Sequence, residues 1–244
     1  MVTRPYRTLV RSGGERTIHI RKVTGSNPVT PTENTDRLRS DPYKAHIISK
    51  VMNSLNIEKE KTALVVIDLQ KGIVERYGSE PYDAVSVVAN SAKLADTFRK
   101  NKMPVFLVRV TPSPDKKDGL KPITDTTPFA GADMDSDWGK IVSELGPMPE
   151  DFIITKRQWG AFYGTELDLQ LRRRGITTIV LCGISTNIGV ESTARDAYER
   201  GYQQIFAEDA MTAHSTDGHK ATTTLVFPRI GRVRRMEEIV KELE

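Results

Sequence analysis

The sequence has little of what disulfide-stabilised, metal-cluster or membrane proteins require. It contains one cysteine, Cys182, which excludes an internal disulfide and a cysteine-rich metal cluster. Its longest apolar runs, such as residues 176–182, are much shorter than the roughly 20 residues of a membrane-spanning helix. No apolar signal segment follows the first methionine. A reducing, cytoplasmic setting is the simplest expectation.

Phosphate-binding patterns are also lacking. Neither Gly-x-Gly-x-x-Gly nor a Walker pattern occurs, so we expect no nucleotide cofactor. The net charge of +4 suggests nucleic acid at first sight. However, residues 1–51 carry ten Lys/Arg against four Asp/Glu, which leaves residues 52–244 at a net −2. We therefore expect neither a nucleic-acid nor a membrane partner.

The N-terminal segment differs from the rest of the chain. Residues 1–44 are rich in Arg, Thr, Ser, Pro and Asn without helical or strand periodicity, which predicts disorder. Gly25–Pro28 is also what GGTTCGAATCC, the common T-arm core of a transfer RNA gene, encodes. A disordered leader, translation through an adjacent tRNA gene with Met52 as the natural start, and a mitochondrial-type presequence remain open. We assign residues 1–51 to a disordered or spurious basic extension and residues 52–244 to one folded domain.

From residue 61 onward, short apolar runs alternate with helix-like stripes. The runs that predict strands are 63–67, 104–110, 152–155, 177–182, 204–207 and 231–234. The stripes that predict helices are 83–100, a segment capped by Thr165 and ended by Gly175, 189–200 and 236–243. Strands alternating with helices predict a three-layer α/β/α, Rossmann-like fold with a mostly parallel six-stranded sheet.

Polar and small residues follow three of these strands. Asp68 and Gln70 follow the first, 156–162 the third and 183–189 the fourth. Ligands of open parallel sheets bind beyond the carboxyl ends of the strands, so we expect the three segments to converge. Each alone has an ordinary alternative, because such an Asp often caps a helix, such a Lys is usually solvated and glycines permit tight turns.

These segments resemble three motifs of the isochorismatase-like (cysteine) hydrolase superfamily. The resemblance lies in 63–70, 156–167 and 183–197, and it is especially close to the YecD-type bacterial branch. It covers nearly all of residues 61–244 and implies the fold predicted above. Membership further implies a small-molecule substrate and a homo-oligomer, either a dimer or a tetramer.

In that superfamily an Asp–Lys–Cys triad hydrolyses amides through a covalent acyl intermediate. The resemblance maps the acid to Asp68, the lysine to Lys156 and the nucleophile position to Gly189, which has no side chain to attack a carbonyl. We expect Cys182, inside a strand run, to be a buried apolar residue rather than a replacement. Ser185 or Thr186 as nucleophile would lack a base nearby in sequence.

The resemblance also implies an oxyanion loop. We assign it to Ile184, Ser185, Ile188 and Gly189, with a cis peptide bond between the first two. Candidates for contacting the substrate are Gln70, Arg109, Arg157, Trp159 and Phe162. For the two aromatic residues, ordinary packing or a subunit interface is an equal alternative.

A second branch of the superfamily also lacks the thiol and cleaves a vinyl ether. There the Asp donates a proton to the substrate, water adds, and the lysine binds a carboxylate. Two positions depart from that branch, Val110 for a glutamine and Ser185 for an aromatic residue, so we expect a small anionic substrate other than isochorismate. A catalytically silent small-molecule-binding protein is the alternative.

Histidine is scarce along the predicted domain. Family nicotinamidases bind a metal with an Asp and two His, whereas no histidine lies between Asp68 and His214 in this chain. We therefore expect no metal. His214 and His219 are expected to cap a helix or lie on the surface.

Overall fold

The computed structural model describes residue 55 and residues 57–75, 78–126 and 137–244. The predicted N-terminal extension, 1–51, lies outside the described residues, so the domain boundary stays a prediction. Within the described ranges, no helix combines the length and apolarity that crossing a bilayer takes.

A six-stranded parallel sheet forms the centre of the fold, in the order β3-β2-β1-β4-β5-β6. Its strands are β1 (Thr62–Ile67), β2 (Val105–Val110), β3 (Phe152–Lys156), β4 (Thr178–Ile184), β5 (Gln203–Thr212) and β6 (Arg232–Arg234). The predicted α/β class and the six strands are confirmed.

Helices cover both faces of this sheet. The α-helices of the described residues are α1 (Lys71–Val74), α2 (Ala84–Lys100), α3 (Leu167–Arg173), α4 (Glu191–Glu199), α5 (Thr216–Ala221), α6 (Phe227–Ile230) and α7 (Met236–Leu243). Apolar residues of α2 and α7 fill the core on one face, and those of α3 and α4 fill the core on the other. Two apolar layers therefore enclose the sheet, which gives the predicted three-layer architecture.

Strand β1 is buried along its whole length. Ala63, Val65 and Ile67 belong to the core with α3 and α4, whereas Leu64 and Val66 belong to the core with α2 and α7. A strand places successive side chains on opposite faces, so a continuous apolar run is what a strand between two helical layers needs.

Three boundaries differ from the sequence-based expectation. Strand β5 runs to Thr212 because it continues pairing with β4 beyond a register irregularity. Helix α3 begins at Leu167, so Thr165 lies one residue before the capping position, which is Glu166. The Thr165 hydroxyl still accepts a hydrogen bond from the Leu167 N–H. The predicted helix from residue 189 is divided into a π-helical turn, Thr186–Val190, and α4.

The strand order creates a topological switch point between β1 and β4. The chain leaves β1 towards β2 and β3 on one side, and β4 lies on the other side. Gly183 of β4 lies beside Ile67 of β1, where an added Cβ would stand 2.0 Å from the Ile67 carbonyl oxygen. Only glycine allows this approach. In open α/β sheets the crevice above such a point is the usual ligand site.

Candidate active site

A buried ion pair joins the ends of β1 and β3. The Lys156 Nζ lies 2.7 Å from the Asp68 Oδ2, and the two side chains are 1% and 7% exposed. The same Nζ donates a 2.6 Å hydrogen bond to the Trp159 carbonyl oxygen. The parallel strands thus bring together an acid and a lysine that are 88 positions apart in the sequence.

The Asp68 backbone turns sharply as it leaves β1. Its φ is 52°, a left-handed conformation that aspartate tolerates better than most residues. Its N–H donates to the Val108 carbonyl oxygen of β2 at 2.9 Å. This bond holds the turn against the sheet.

Gly189 lies directly beside the ion pair. A Cβ at this position would stand 3.1 Å from the Asp68 Oδ2 and 3.4 Å from the Lys156 Nζ. Thr193 connects the two surrounding loops, because its hydroxyl donates to the Gly189 carbonyl at 2.7 Å and accepts from the Ala161 N–H at 3.1 Å. All three residues mapped to the triad therefore meet at one point.

Burial sets the acidity of Asp68. Removal from water raises the pKa of Asp68 above its usual value, and the adjacent Lys156 ammonium opposes that rise. The Asp68 Oδ1 is also buried and has no hydrogen-bond partner among the described residues. The carboxyl group is therefore able to hold or release a proton on the side away from the lysine.

The loop assigned to an oxyanion has the expected cis peptide bond between Ile184 and Ser185. Its next turn is π-helical, and the Ser185 carbonyl accepts from the N–H groups of Ile188 and Val190, both at 3.1 Å. The Ile188 N–H assigned to an oxyanion is therefore engaged within the turn. The Ser185 hydroxyl donates to the Asn187 side chain at 2.9 Å.

The Gln70 side-chain amide is bonded to the backbone, and its predicted contact with a substrate stays a prediction. Its Nε2 donates to the carbonyl oxygens of Val110 and Trp138, both at 2.9 Å, and its Oε1 accepts from the Val110 N–H at 2.8 Å. Both amide hydrogens are committed to the backbone. Gln70 therefore ties the end of β2 to the segment at Trp138, and no N–H remains for a substrate.

The two arginine candidates lie near strand ends but are engaged differently. Arg109 donates to the Thr155 hydroxyl at 3.1 Å and to the Gly139 carbonyl at 3.3 Å. Arg157 forms an ion pair with Asp118 in the connection after β2. Their proposed contacts to a substrate stay predictions.

The two aromatic candidates differ in burial. Phe162 is buried against the Tyr202 ring at 5.7 Å and beneath the Arg200 guanidinium, as the packing alternative expects. Trp159 is 53% exposed, and its carbonyl, rather than its indole, contacts Lys156. A substrate contact by the indole stays a prediction.

Cys182 does not substitute for a nucleophile. Its side chain is fully buried in the core with α2 and α7, opposite to the face that holds the acid–lysine pair. Burial raises the pKa of the Cys182 thiol to about 12, which suppresses the reactive thiolate. The expectation that it is a buried apolar residue is confirmed.

Sequence reasoning missed a buried group behind the loop. His219 is 1% exposed, lies within α5 and stands between Thr186 and Glu208, so the expected capping or surface role is wrong. Thr186 and Glu208 lie 33 and 11 positions before His219 in the sequence, and no local spacing pattern indicates these contacts. Thr193 was likewise not selected, although it links the lysine and glycine segments.

Known proteins match the part of the chain that contains the sheet and the acid–lysine pair. The family model described as Isochorismatase domain matches residues 62–238. The isochorismatase family protein YwoC of Bacillus subtilis is 54% identical over 196 residues, which cover 80% of this chain and all of that protein. The family protein YecD of Escherichia coli O157:H7 is 51% identical and covers 78% of this chain and all of its own length.

A solved structure agrees with these matches. The structure of an isochorismatase family protein from Burkholderia thailandensis superposes with a TM-score of 0.73 at 46% identity. The match covers 78% of this chain and 97% of that protein.

Proposed function

This chain belongs to the isochorismatase family, and on that premise we propose that it is a hydrolase of a small anionic molecule that works without a covalent thioester step. The observation that carries the proposal is the Asp68 carboxyl group. It is buried, its Oδ1 is unpartnered among the described residues, and Oδ2 faces Lys156 beside a glycine. This arrangement supports proton transfer, and it offers no side-chain nucleophile at position 189.

In the proposed reaction Asp68 is the general acid. The protonated carboxyl group donates to the enol-ether carbon of the substrate, and water adds to the resulting oxocarbenium-like carbon. The added water returns a proton to Asp68, which leaves a hemiketal. Its bond to the ether oxygen then breaks, and the hydroxyl proton moves to that oxygen, so that a carbonyl compound and an alcohol are released. Burial favours the protonated form that the first step needs, because it raises the pKa of Asp68.

Lys156 is proposed to bind a carboxylate of the substrate. With no substrate, its ammonium group faces Asp68 and opposes protonation of that carboxyl. A substrate carboxylate competes for the ammonium and brings a second negative charge close to Asp68. Both effects raise the pKa of Asp68 further, so binding an anion prepares the acid for its own reaction.

The test is a turnover screen of vinyl ethers, amides and N-carbamoyl compounds, each carrying a carboxylate. For any compound that the wild-type protein cleaves, Asp68→Asn and Lys156→Ala are expected to lower kcat/KM at least about a hundredfold. The exposed pair of Glu58 and Lys61 supplies matched controls, Glu58→Gln and Lys61→Ala, which keep full activity. Full activity in the Asp68 and Lys156 variants contradicts the assignment.

Covalent and non-covalent routes are separated by mass spectrometry of protein quenched during turnover. The proposal expects no acyl adduct and one solvent-derived oxygen atom in the product. An adduct on the chain contradicts it. Thermal stabilisation by small carboxylic acids without turnover of any compound supports the silent binding protein instead.

A further inference from the structure

A buried chain of hydrogen bonds lies behind the loop that carries Gly189. The Thr186 Oγ1 is 2.9 Å from the His219 Nδ1, and the His219 Nε2 is 3.2 Å from the Glu208 Oε1. The Tyr82 hydroxyl donates to the same Glu208 oxygen at 2.8 Å. Thr186 is fully buried and His219 is 1% exposed, so water does not replace the contact between them, whereas the Glu208 end of the chain is partly exposed.

The chemistry of Glu208 determines the direction of this chain. The hydrogen bond from His219, followed by that from Tyr82, lowers the pKa of Glu208 despite its partial burial, so the carboxylate accepts. The His219 Nε2 must then donate, and in the tautomer that carries its one ring proton there the Nδ1 is an acceptor. The Thr186 hydroxyl therefore donates to Nδ1.

Two further contacts join α5 and the residue after it to the π-helical turn and the first residue of α4. Gly218 packs against the Asn187 side chain, where an added Cβ would stand 2.9 Å from Nδ2. The Thr222 hydroxyl donates to the Glu191 Oε2 at 2.6 Å. The segment from Ser215 to Thr222 thus contacts residues 186 and 187, which precede Gly189, and residue 191, which follows it.

We propose that Thr186, His219 and Glu208 form a positioning relay that holds the π-helical turn so that Gly189 lies against the acid–lysine pair. The relay rests on the proposed function of that pair. Asp68 and Lys156 form the acid–lysine pair beside Gly189. His219 contacts the loop at Thr186 instead, so it is a positioning residue that acts on the pair through the loop. Two apolar side chains in place of Thr186 and His219 would fill the same volume, but they would form no hydrogen bond between the helix and the turn. The directional bonds fix the rotamer of Thr186 at the first residue of the turn.

The test compares Thr186→Val, which keeps the shape and removes the hydroxyl, with Thr186→Ser, which keeps the hydroxyl. On a compound that the wild-type protein cleaves, Thr186→Val is expected to lower kcat at least about tenfold with little change in KM. Thr186→Ser is expected to stay within about twofold. The matched control is Thr62→Val, which removes a buried hydroxyl at the opposite end of β1. Unchanged kcat in Thr186→Val, or an equal loss in Thr186→Ser, overturns the relay.

Nitrogen-15 spectra of the histidine rings test the hydrogen bonds themselves. The wild-type spectrum is expected to show the His219 ring proton at Nε2 and none at Nδ1, and Thr186→Val should shift the Nδ1 signal while Thr186→Ser should not. The Nδ1–H tautomer, or a charged ring, overturns the assigned direction.

Absence of turnover for every compound would count against the proposed function but not against the relay. In that case amide hydrogen exchange of residues 184–191 tests the relay without a substrate. Faster exchange there in Thr186→Val, without a change in α2 and without an effect of Thr186→Ser, supports the relay. Equal exchange in the three proteins, or faster exchange throughout the chain, overturns it.

Discussion

The buried pair of Asp68 and Lys156 has a calculable effect on the free energy of unfolding. At an N–O distance of 2.7 Å and an effective dielectric constant of roughly 20, the two charges attract by about 6 kcal/mol. Removing both side chains from water cancels much of that attraction. Loss of one partner is therefore expected to cost more than loss of both.

The two single variants should behave differently. Asp68→Asn leaves a buried ammonium with the Trp159 carbonyl as its remaining acceptor, and we expect it to lower the free energy of unfolding by about 3–5 kcal/mol. Lys156→Met leaves a carboxyl group that takes up a proton instead, because its pKa rises further without the ammonium. The folded variant then binds that proton more tightly than the unfolded chain, so its stability falls as the pH rises from 5 to 8.

Urea denaturation followed by circular dichroism at pH 5 and pH 8 measures these effects. The double variant Asp68→Asn/Lys156→Met is expected to recover most of the lost stability, which gives a large coupling energy in the mutant cycle. The exposed pair of Glu58 and Lys61 is the control, and the corresponding cycle should leave the midpoint unchanged. Single variants that each cost less than about 1 kcal/mol at pH 8 would refute the reasoning, since the pair would then be solvated.

Three other predictions, one of them with a control substitution, test the site and its scaffold. Gly189→Cys should place a thiol beside the Lys156 ammonium, which lowers the thiol pKa, and the Asp68 carboxyl, which raises it when ionised. Iodoacetamide is expected to alkylate this thiol faster than the buried Cys182; mass spectrometry measures this, and labelling no faster than in the wild-type protein contradicts the site geometry. Asp151→Ala should lower the free energy of unfolding by roughly 3 kcal/mol, because it removes the buried partner of Arg99, whereas Asp96→Ala removes an exposed partner and should leave the urea midpoint unchanged. Gly183→Ala should lower the thermal midpoint strongly, since its Cβ would overlap a β1 carbonyl, and a wild-type midpoint would refute that close approach.

The fold could be predicted because its signals are local. The apolar run from Ala63 to Ile67 needs burial on both faces, and its end at Asp68 marks where the strand leaves the core. Parallel strands end at a common edge, so Asp68 and Lys156 meet although their separation in sequence is large. Gly175 and Gly201 could be predicted as helix ends for the same local reason, and both have positive φ angles.

Other features depend on contacts that no local pattern encodes. The extension of β5 to Thr212 follows from pairing with β4 across an irregular register, which periodicity does not indicate. The expected capping or surface role of His219 was wrong because its partners, Thr186 and Glu208, come from two other segments. The bonds of the Gln70 amide to the Val110 and Trp138 carbonyl oxygens likewise join segments 40 and 68 positions away, which no local pattern indicates.

The sequence by itself determined the alternating β/α architecture, the strand exits that carry Asp68 and Lys156, and the glycine at position 189. Hydrophobic burial and strand geometry act over a few neighbouring residues, so these properties can be read along the chain. Only the tertiary structure decided how far Asp68 is buried, that its Oδ1 lacks a partner among the described residues, and that His219 supports the loop. Acidity and hydrogen-bond direction depend on what distant segments pack around a group, and that packing exists only in the folded protein.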